Sequence, residues 1–205
     1  METSNGVKKT FWFVILIVIV AAAAVFMVLR INSDHQPQQP AGSQSQNIIN
    51  QTPMKVTSPQ FLDGETIPVQ YTCDGAGVNP PLNFSEVPQG TKSLALILHD
   101  PDAPIAGGWT HWTLWNIDPA TQSIAENSVP SKAVQGKTSS GQNNYGGPCP
   151  PAADPAHHYH FKLYALGIVL KDLPSYSEKA ELERAMAGQI LAQADLVGLY
   201  GRAKK

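Results

Sequence analysis

Hydrophobic and polar positions change rhythm three times along this chain. Residues 11–29, FWFVILIVIVAAAAVFMVL, run for nineteen positions without a charge. As a helix rising about 1.5 Å per residue, such a run spans roughly 28 Å, the thickness of a bilayer's hydrocarbon core. Lys8 and Lys9 precede it, with Glu2 further out and Arg30 just after. That bias predicts a cytoplasmic segment 1–10, a transmembrane signal anchor over 11–29 and a domain placed outside the cytoplasm. A cleaved signal peptide is the competing reading, since AAAA offers small residues, although the apolar run continues past them. With no cysteine nearby, a lipoprotein is excluded.

The second rhythm is no rhythm. Residues 30–53 are rich in Gln, Pro, Ser and Asn and poor in large apolar side chains. They bury too little to offset their ordering entropy and read as a flexible linker. The third begins at Met54 and runs to the end, 54–205, a length that supports one ordinary domain with its own core. Short β-favouring runs alternate there with turn signals such as LDGE, CDGAGVNPP, VPQGTK and GGPCPP. TIPVQYT, SLALILHD, THWTLWNID and HHYHFKLYALGIVL are the predicted strands. In SLALILHD both faces are apolar, as in a central strand. Strands at this spacing without helices between them predict an antiparallel β-sandwich or barrel. Only SYSEKAELERAMAGQILAQADLVGLYG reads as helix. Ser177 is its expected N-cap, and Leu182, Met186 and Ile190 form its buried stripe.

Charge narrows the function classes. Setting aside residues 1–31, with three basic groups and one acidic, leaves eleven Lys or Arg against fifteen Asp or Glu, a net of about −4. There is no basic stripe, so nucleic-acid binding is excluded. The two cysteines, Cys73 and Cys149, both lie in Gly/Pro-rich loops. They are either a disulfide, the favoured reading in an oxidising compartment, or two buried thiols.

Three constellations carry candidate chemistry. In HHYHFKLY, alternation puts His157, Tyr159, Phe161 and Leu163 on one face and His158, His160, Lys162 and Tyr164 on the other. The first set suits the interior, with His157 and Tyr159 at the mouth; the second suits solvent. This phasing argues against a zinc site made from the histidines alone, because no carboxylate or cysteine nearby completes a tetrahedral set. In LHDPDAP, prolines stiffen a turn bearing two carboxylates. In GGWTHWTLWN, a glycine pair opens a strand with Trp109, His111 and Thr113 on one face. Against these stands YGGPCPP, whose small residues leave the amides of Gly146, Gly147 and Cys149 open to a close-approaching ligand. Gathered together, these groups suit a compact anion, with the amides, His111 and His157 donating and an aspartate orienting a histidine. No G-x-S-x-G elbow or H-E-x-x-H helix is present. QGKTSSG has Walker-like letters, but Ser131 stands where the first glycine belongs, so the match is chance.

DPDAP, GGWTHWTLWNI, YGGPCPP and HHYHFKLYAL, in this order and spacing, resemble the phosphatidylethanolamine-binding protein family, closest to its bacterial Raf-kinase-inhibitor-like branch. The likeness covers nearly all of 54–203, with PLNF as a departure where relatives tend to carry tryptophan. It implies a mainly β fold, a sandwich of two antiparallel sheets with peripheral helices, and an anion pocket at one end. By matching motif positions, that pocket uses Asp100 and Asp102, Trp109 and His111, then Tyr145, Gly147, Cys149, Pro150 and Pro151, and finally His157 and Tyr159.

The resulting expectation is a membrane-tethered, non-enzymatic binding protein for a phosphate- or carboxylate-bearing ligand. A phospholipid head group, a phosphorylated metabolite or a peptide end all fit. It needs no cofactor, metal or nucleic acid; a protein target and a homodimer stay open as partners. An interaction module that inhibits a protease or modulates a kinase or receptor is the alternative. A hydrolase with His111 or His157 as general base, oriented by Asp100, comes third.

Overall fold

Strand β4 (Ser93–Asp100) sets the layering, because its two faces feed two separate hydrophobic clusters. The computed structural model describes residues 53–203. Around β4 lie β1 (Lys55–Thr57), β2 (Glu65–Thr66), β3 (Leu82–Ser85), β5 (Trp109–Ile117), β6 (Ser123–Ile124), β7 (Val134–Gln135), β8 (His157–Leu166), helix α1 (Lys179–Met186) and β9 (Ile190–Tyr200). One sheet has the order β1-β3-β6 and the other β2-β9-β8-β4-β5-β7. All pairings are antiparallel except that of β2 with β9, which is parallel. Leu94, Leu96 and Leu98 of β4 join Val56, Leu82, Phe84, Phe161 and Leu163 in the core between the sheets. Ala95 and Ile97 point the other way and meet Leu182 and Met186 of α1. The both-faces-apolar pattern of SLALILHD is thus explained: one face meets a sheet, the other a helix.

Several expectations are corrected. The segment expected to cross a membrane, 11–29, lies outside the described residues, as do 1–10 and 30–52. Among the described residues no helix is long and apolar enough to cross a membrane. The α-helix there, Lys179–Met186, has 8 residues and spans about 12 Å, and it carries charges along its length. Among the described residues the fold class is therefore the mainly β domain with no transmembrane helix, and the single-pass, extracytoplasmic localisation is withdrawn.

The predicted C-terminal helix is only half a helix. Glu178, not Ser177, caps α1, exchanging hydrogen bonds with Glu181 across the first turn. Gly188 takes φ +73°, and the chain leaves as β9, which pairs with β8 along nearly its whole length. Ile190 therefore sits exposed on a strand instead of completing the helix stripe. TIPVQYT also departs. Pro68 has no N–H for a ladder, and Val69–Tyr71 coil into a 3-10 turn. Tyr164, expected in solvent, is buried in the α1-covered cluster.

Candidate functional site

Because β4 runs antiparallel to both of its neighbours, its C-terminal end lies beside the N-terminal ends of β5 and β8. Asp100 closes β4, Trp109 and His111 open β5, and His157 and Tyr159 open β8. Strand order alone thus collects the chemistry-bearing residues at one end of the sheet. There they border a cavity of about 370 Å³.

The β8 wall follows simple alternation. Asp100 shares its face with Leu94, Leu96 and Leu98, and so meets His157, which leads the inward set of β8. The Nδ1–H of His157 donates to Oδ2 of Asp100 at 2.8 Å, with both side chains buried. The other oxygen, Oδ1, accepts the backbone N–H groups of Asp102 and Ala103 at 2.8 and 3.1 Å. The buried carboxylate therefore has each oxygen engaged. It fixes the His157 ring and leaves Nε2 as the ring's open position, 3.9 Å from the half-exposed Asp154.

The β5 wall does not follow alternation. Leu98 pairs with Trp112 and His99 with Thr110, so the register shifts by one residue at His111. This β-bulge turns His111 toward the same side as Trp112, while Thr113 faces the α1 side, against Gly136 and Trp115. The expected common face of Trp109, His111 and Thr113 is therefore broken: the first two line the cavity and Thr113 does not.

His111 Nδ1 is 2.9 Å from the Gly146 carbonyl. A carbonyl only accepts, so the ring carries its proton on Nδ1, and the neutral ring presents Nε2 as an acceptor. Burial lowers its pKa below the ordinary 6.5, with the Gly146 bond and the Asp100 charge pulling the other way. The expectation that His111 donates to an anion is thus reversed for the neutral ring.

The third wall is the YGGPCPP loop, which is clamped to the turn after Tyr71. Cys73 and Cys149 form a disulfide with Cα atoms 5.4 Å apart. The Cys73 N–H donates to the Pro148 carbonyl, and the Tyr145 hydroxyl to the Tyr71 carbonyl. Gly147 packs so tightly that a Cβ would meet the Thr72 carbonyl carbon at 2.8 Å. The glycine thus serves the clamp, while its backbone also borders the cavity. The Gly146 amide is also engaged, donating to the His111 carbonyl.

Of the expected site residues, Asp100, Trp109, His111, Gly147, Cys149, Pro150, Pro151 and His157 line the cavity. Asp102, Tyr145 and Tyr159 do not. Asp102 is a brace at the rim, where its carboxylate accepts both the ring and backbone N–H of His158. Those bonds hold it below its ordinary pKa. Tyr145 lies behind the loop, edge-on to Trp112. Tyr159 is fully buried beneath the histidines, edge-on to His111 at 5.2 Å and stacked with His157 at 6.4 Å. Its hydroxyl lies within the influence of Asp100 and the Cys149 amide but makes no hydrogen bond of good geometry among the described residues. Burial first, and Asp100 second, push its pKa well above the phenol range.

Sequence reasoning missed Ala103, Pro104, Ile105, Thr110, Thr138 and Ser140 as lining residues. Ala103 and Pro104 lay inside DPDAP, where only the carboxylates drew attention. Thr138 and Ser140 lay in the dismissed QGKTSSG. Chemically, the His157–Asp100 pair can hold or move a proton, and His111 can accept one hydrogen bond beside it. Among the described residues no cluster of three or more His, Cys, Asp or Glu is arranged to hold a metal.

Comparison with known proteins agrees with this architecture. The profile of the family described as phosphatidylethanolamine-binding protein matches residues 57–201. A UPF0098 protein of Methanothermobacter thermautotrophicus is 45% identical over 154 residues, covering 73% of this chain and 99% of its own. Another, from Pyrococcus horikoshii, is 44% identical over 155 residues, or 73% of this chain and 77% of that protein. Among solved structures, a phosphatidylethanolamine-binding protein homologue of Chlamydia trachomatis superposes with a TM-score of 0.69. It is 43% identical and covers 73% of this chain and 98% of its own. YbcL of E. coli gives 0.68 at 34% identity, covering 73% and 99%.

Proposed function

This chain belongs to the phosphatidylethanolamine-binding protein family, and from that premise we propose that its domain binds a small ligand through a phosphate or carboxylate head. One observation carries the reading: Asp100, His111 and His157, distant in sequence, converge on one cavity of about 370 Å³. That volume lies at the small end of ligand pockets and accommodates a head group. The charges decide how an anion enters. Asp100 alone would repel it, so His157 must be protonated in the complex, its Nδ1–H on Asp100 and its Nε2–H on the ligand. Neutral His111 then accepts from a ligand donor such as an ammonium group or a hydroxyl, and an ethanolamine head carries the ammonium. We read the site as binding without turnover; Cys149, locked in its disulfide, cannot serve the dyad as a nucleophile.

Titration calorimetry of the full-length chain with inorganic phosphate, phosphoethanolamine and acetate tests this reading. Run in buffers of different ionisation enthalpy, it should show net proton uptake on phosphate binding. His157→Ala and Asp100→Ala should each weaken binding by about tenfold or more, on the order of one charge-assisted hydrogen bond. Affinity left intact in both His111→Ala and Asp100→Ala would defeat the site.

A further inference from the structure

The head-group cavity opens onto a second depression. Ile105, Trp109, Thr110, Thr138 and Ser140 border both, so the two lie side by side across a shared ridge. The second space is a trough of about 650 Å³, larger than the cavity it joins. A ligand confined to the cavity would leave that trough to solvent; a longer one crosses the ridge.

The two spaces differ in chemistry. Beside its histidine–aspartate dyad, the cavity is walled by alanine, isoleucine, tryptophan and prolines. The trough instead presents Lys137, Lys179 and Glu178 with the hydroxyl run Thr138–Ser140. Those hydroxyls are already ordered. Thr138 Oγ1 gives its proton to the Gln142 carbonyl at 2.9 Å, so the 2.8 Å contact with Ser140 must use the Ser140 proton. Ser140 Oγ is left with its lone pairs, an acceptor. Ser139 Oγ accepts the Thr110 N–H and holds the strip against β5.

The cations are held only by exposed pairs. Lys137 meets Glu178 at 3.0 Å, and Lys179 meets Glu183 at 3.2 Å. Exposed pairs of this kind are worth little and re-partner readily. The trough therefore offers ammonium donors, a carboxylate acceptor and a hydroxyl acceptor at close quarters. An alkyl chain laid across them would strip their water and return nothing. A row of hydroxyl groups, each both donor and acceptor, answers them all.

We infer that the ligand is a phosphorylated sugar or polyol, its phosphate in the cavity and its hydroxyl-bearing body across Trp109 in the Lys137–Lys179 trough. This rests on the phosphate-head reading above and adds the class of molecule that carries the head.

The test is calorimetry on the full-length chain with four kinds of probe: inorganic phosphate, monobutyl phosphate, free glucose, and a panel of glycerol 3-phosphate, glucose 6-phosphate and inositol 1-phosphate. At least one panel member should bind about tenfold tighter than both inorganic phosphate and butyl phosphate. Lys179→Ala and, separately, Lys137→Gln should remove about threefold or more of that advantage and leave inorganic phosphate unchanged. Both side chains are partly exposed, neither belongs to a hydrophobic cluster, and alanine is the stronger helix former at 179, so folding is preserved. If phosphate binds but butyl phosphate equals the whole panel, or neither lysine matters, this inference is wrong and the head-group reading stands. If no phosphate compound binds, this inference falls, and the head-group reading falls with it when acetate does not bind either.

Discussion

The two histidine-bearing walls of the cavity are built by different means. The β8 wall is regular at the cavity end: pairing with β9 shifts only at Ala165/Leu166, at the far end of the strand, and unbroken pairing with β4 carries His157 to Asp100 on the face that alternation dictates. The β5 wall is irregular. A one-residue register shift aims His111, and a loop held by a disulfide supplies its carbonyl partner. His157 rests on a buried charge, while His111 rests on a neutral backbone dipole in a dry setting. One imidazole is tied to a carboxylate; the other, dry and bonded to a carbonyl, resists a proton. Proximity within a cavity does not make two imidazoles equivalent, because each takes its protonation from what its far nitrogen touches.

The contrast can be broken most severely at the clamp. Replacing Cys73 and Cys149 by Ala removes a cross-link between residues 76 apart in sequence, which on loop-closure entropy is worth about 4 kcal/mol. Urea unfolding should show a loss of that order, with the β5 wall disordered and the Asp100–His157 pair retained. A loss below about 1 kcal/mol would mean that the other loop contacts hold the wall unaided. The next largest effect is expected on the opposite wall. Asp100→Asn keeps an acceptor for the two amides but replaces the carboxylate that accepts from buried His157, and losing such a charge-assisted hydrogen bond costs about 2 kcal/mol. The same denaturation measurement checks it, and an unchanged midpoint would show that the pair does not hold its wall.

The smallest effect sharpens the comparison without any mutation. Burial lowers the His111 pKa, so between its folded value and the ordinary 6.5 the unfolded chain binds more protons than the native one. The stability this ring contributes is complete above about pH 6.5 and declines as pH falls through that value toward the folded one. Imidazole NMR should show His111 titrating below 6.5, and a midpoint at or above that value would contradict the dry, neutral environment.

The same division explains what was legible in the sequence. Alternation found β4, β5 and β8 and put His157 and Tyr159 on the inward face, because period-2 patterning is a local property of one strand. It failed at Thr113, since a bulge is visible only once the partner strand is known. It failed again at β9. Leu182, Met186 and Ile190 fit a helical stripe, but the ladder offered by β8 outweighs that spacing beyond Gly188. TIPVQYT had strand-like composition, and Pro68 overruled it. The family motifs gathered most of the cavity, yet Asp102 and Tyr145 proved to be braces. Thr138 and Ser140 had no periodic or motif signal, since loop residues join a site through the path of the backbone.

The clamp also reaches the far end of the described chain. Arg202 grips Asp74 through two hydrogen bonds at 2.9 Å, and the Tyr200 hydroxyl adds a third to the same carboxylate. Asp74 neighbours Cys73, which is joined to the cavity lining through Cys149. A molecular engineer who trims or fuses this protein at its tail is therefore handling the recognition site by remote control. A junction placed after Ala203 leaves the linkage whole, while one that removes Arg202 releases the first tether in the series.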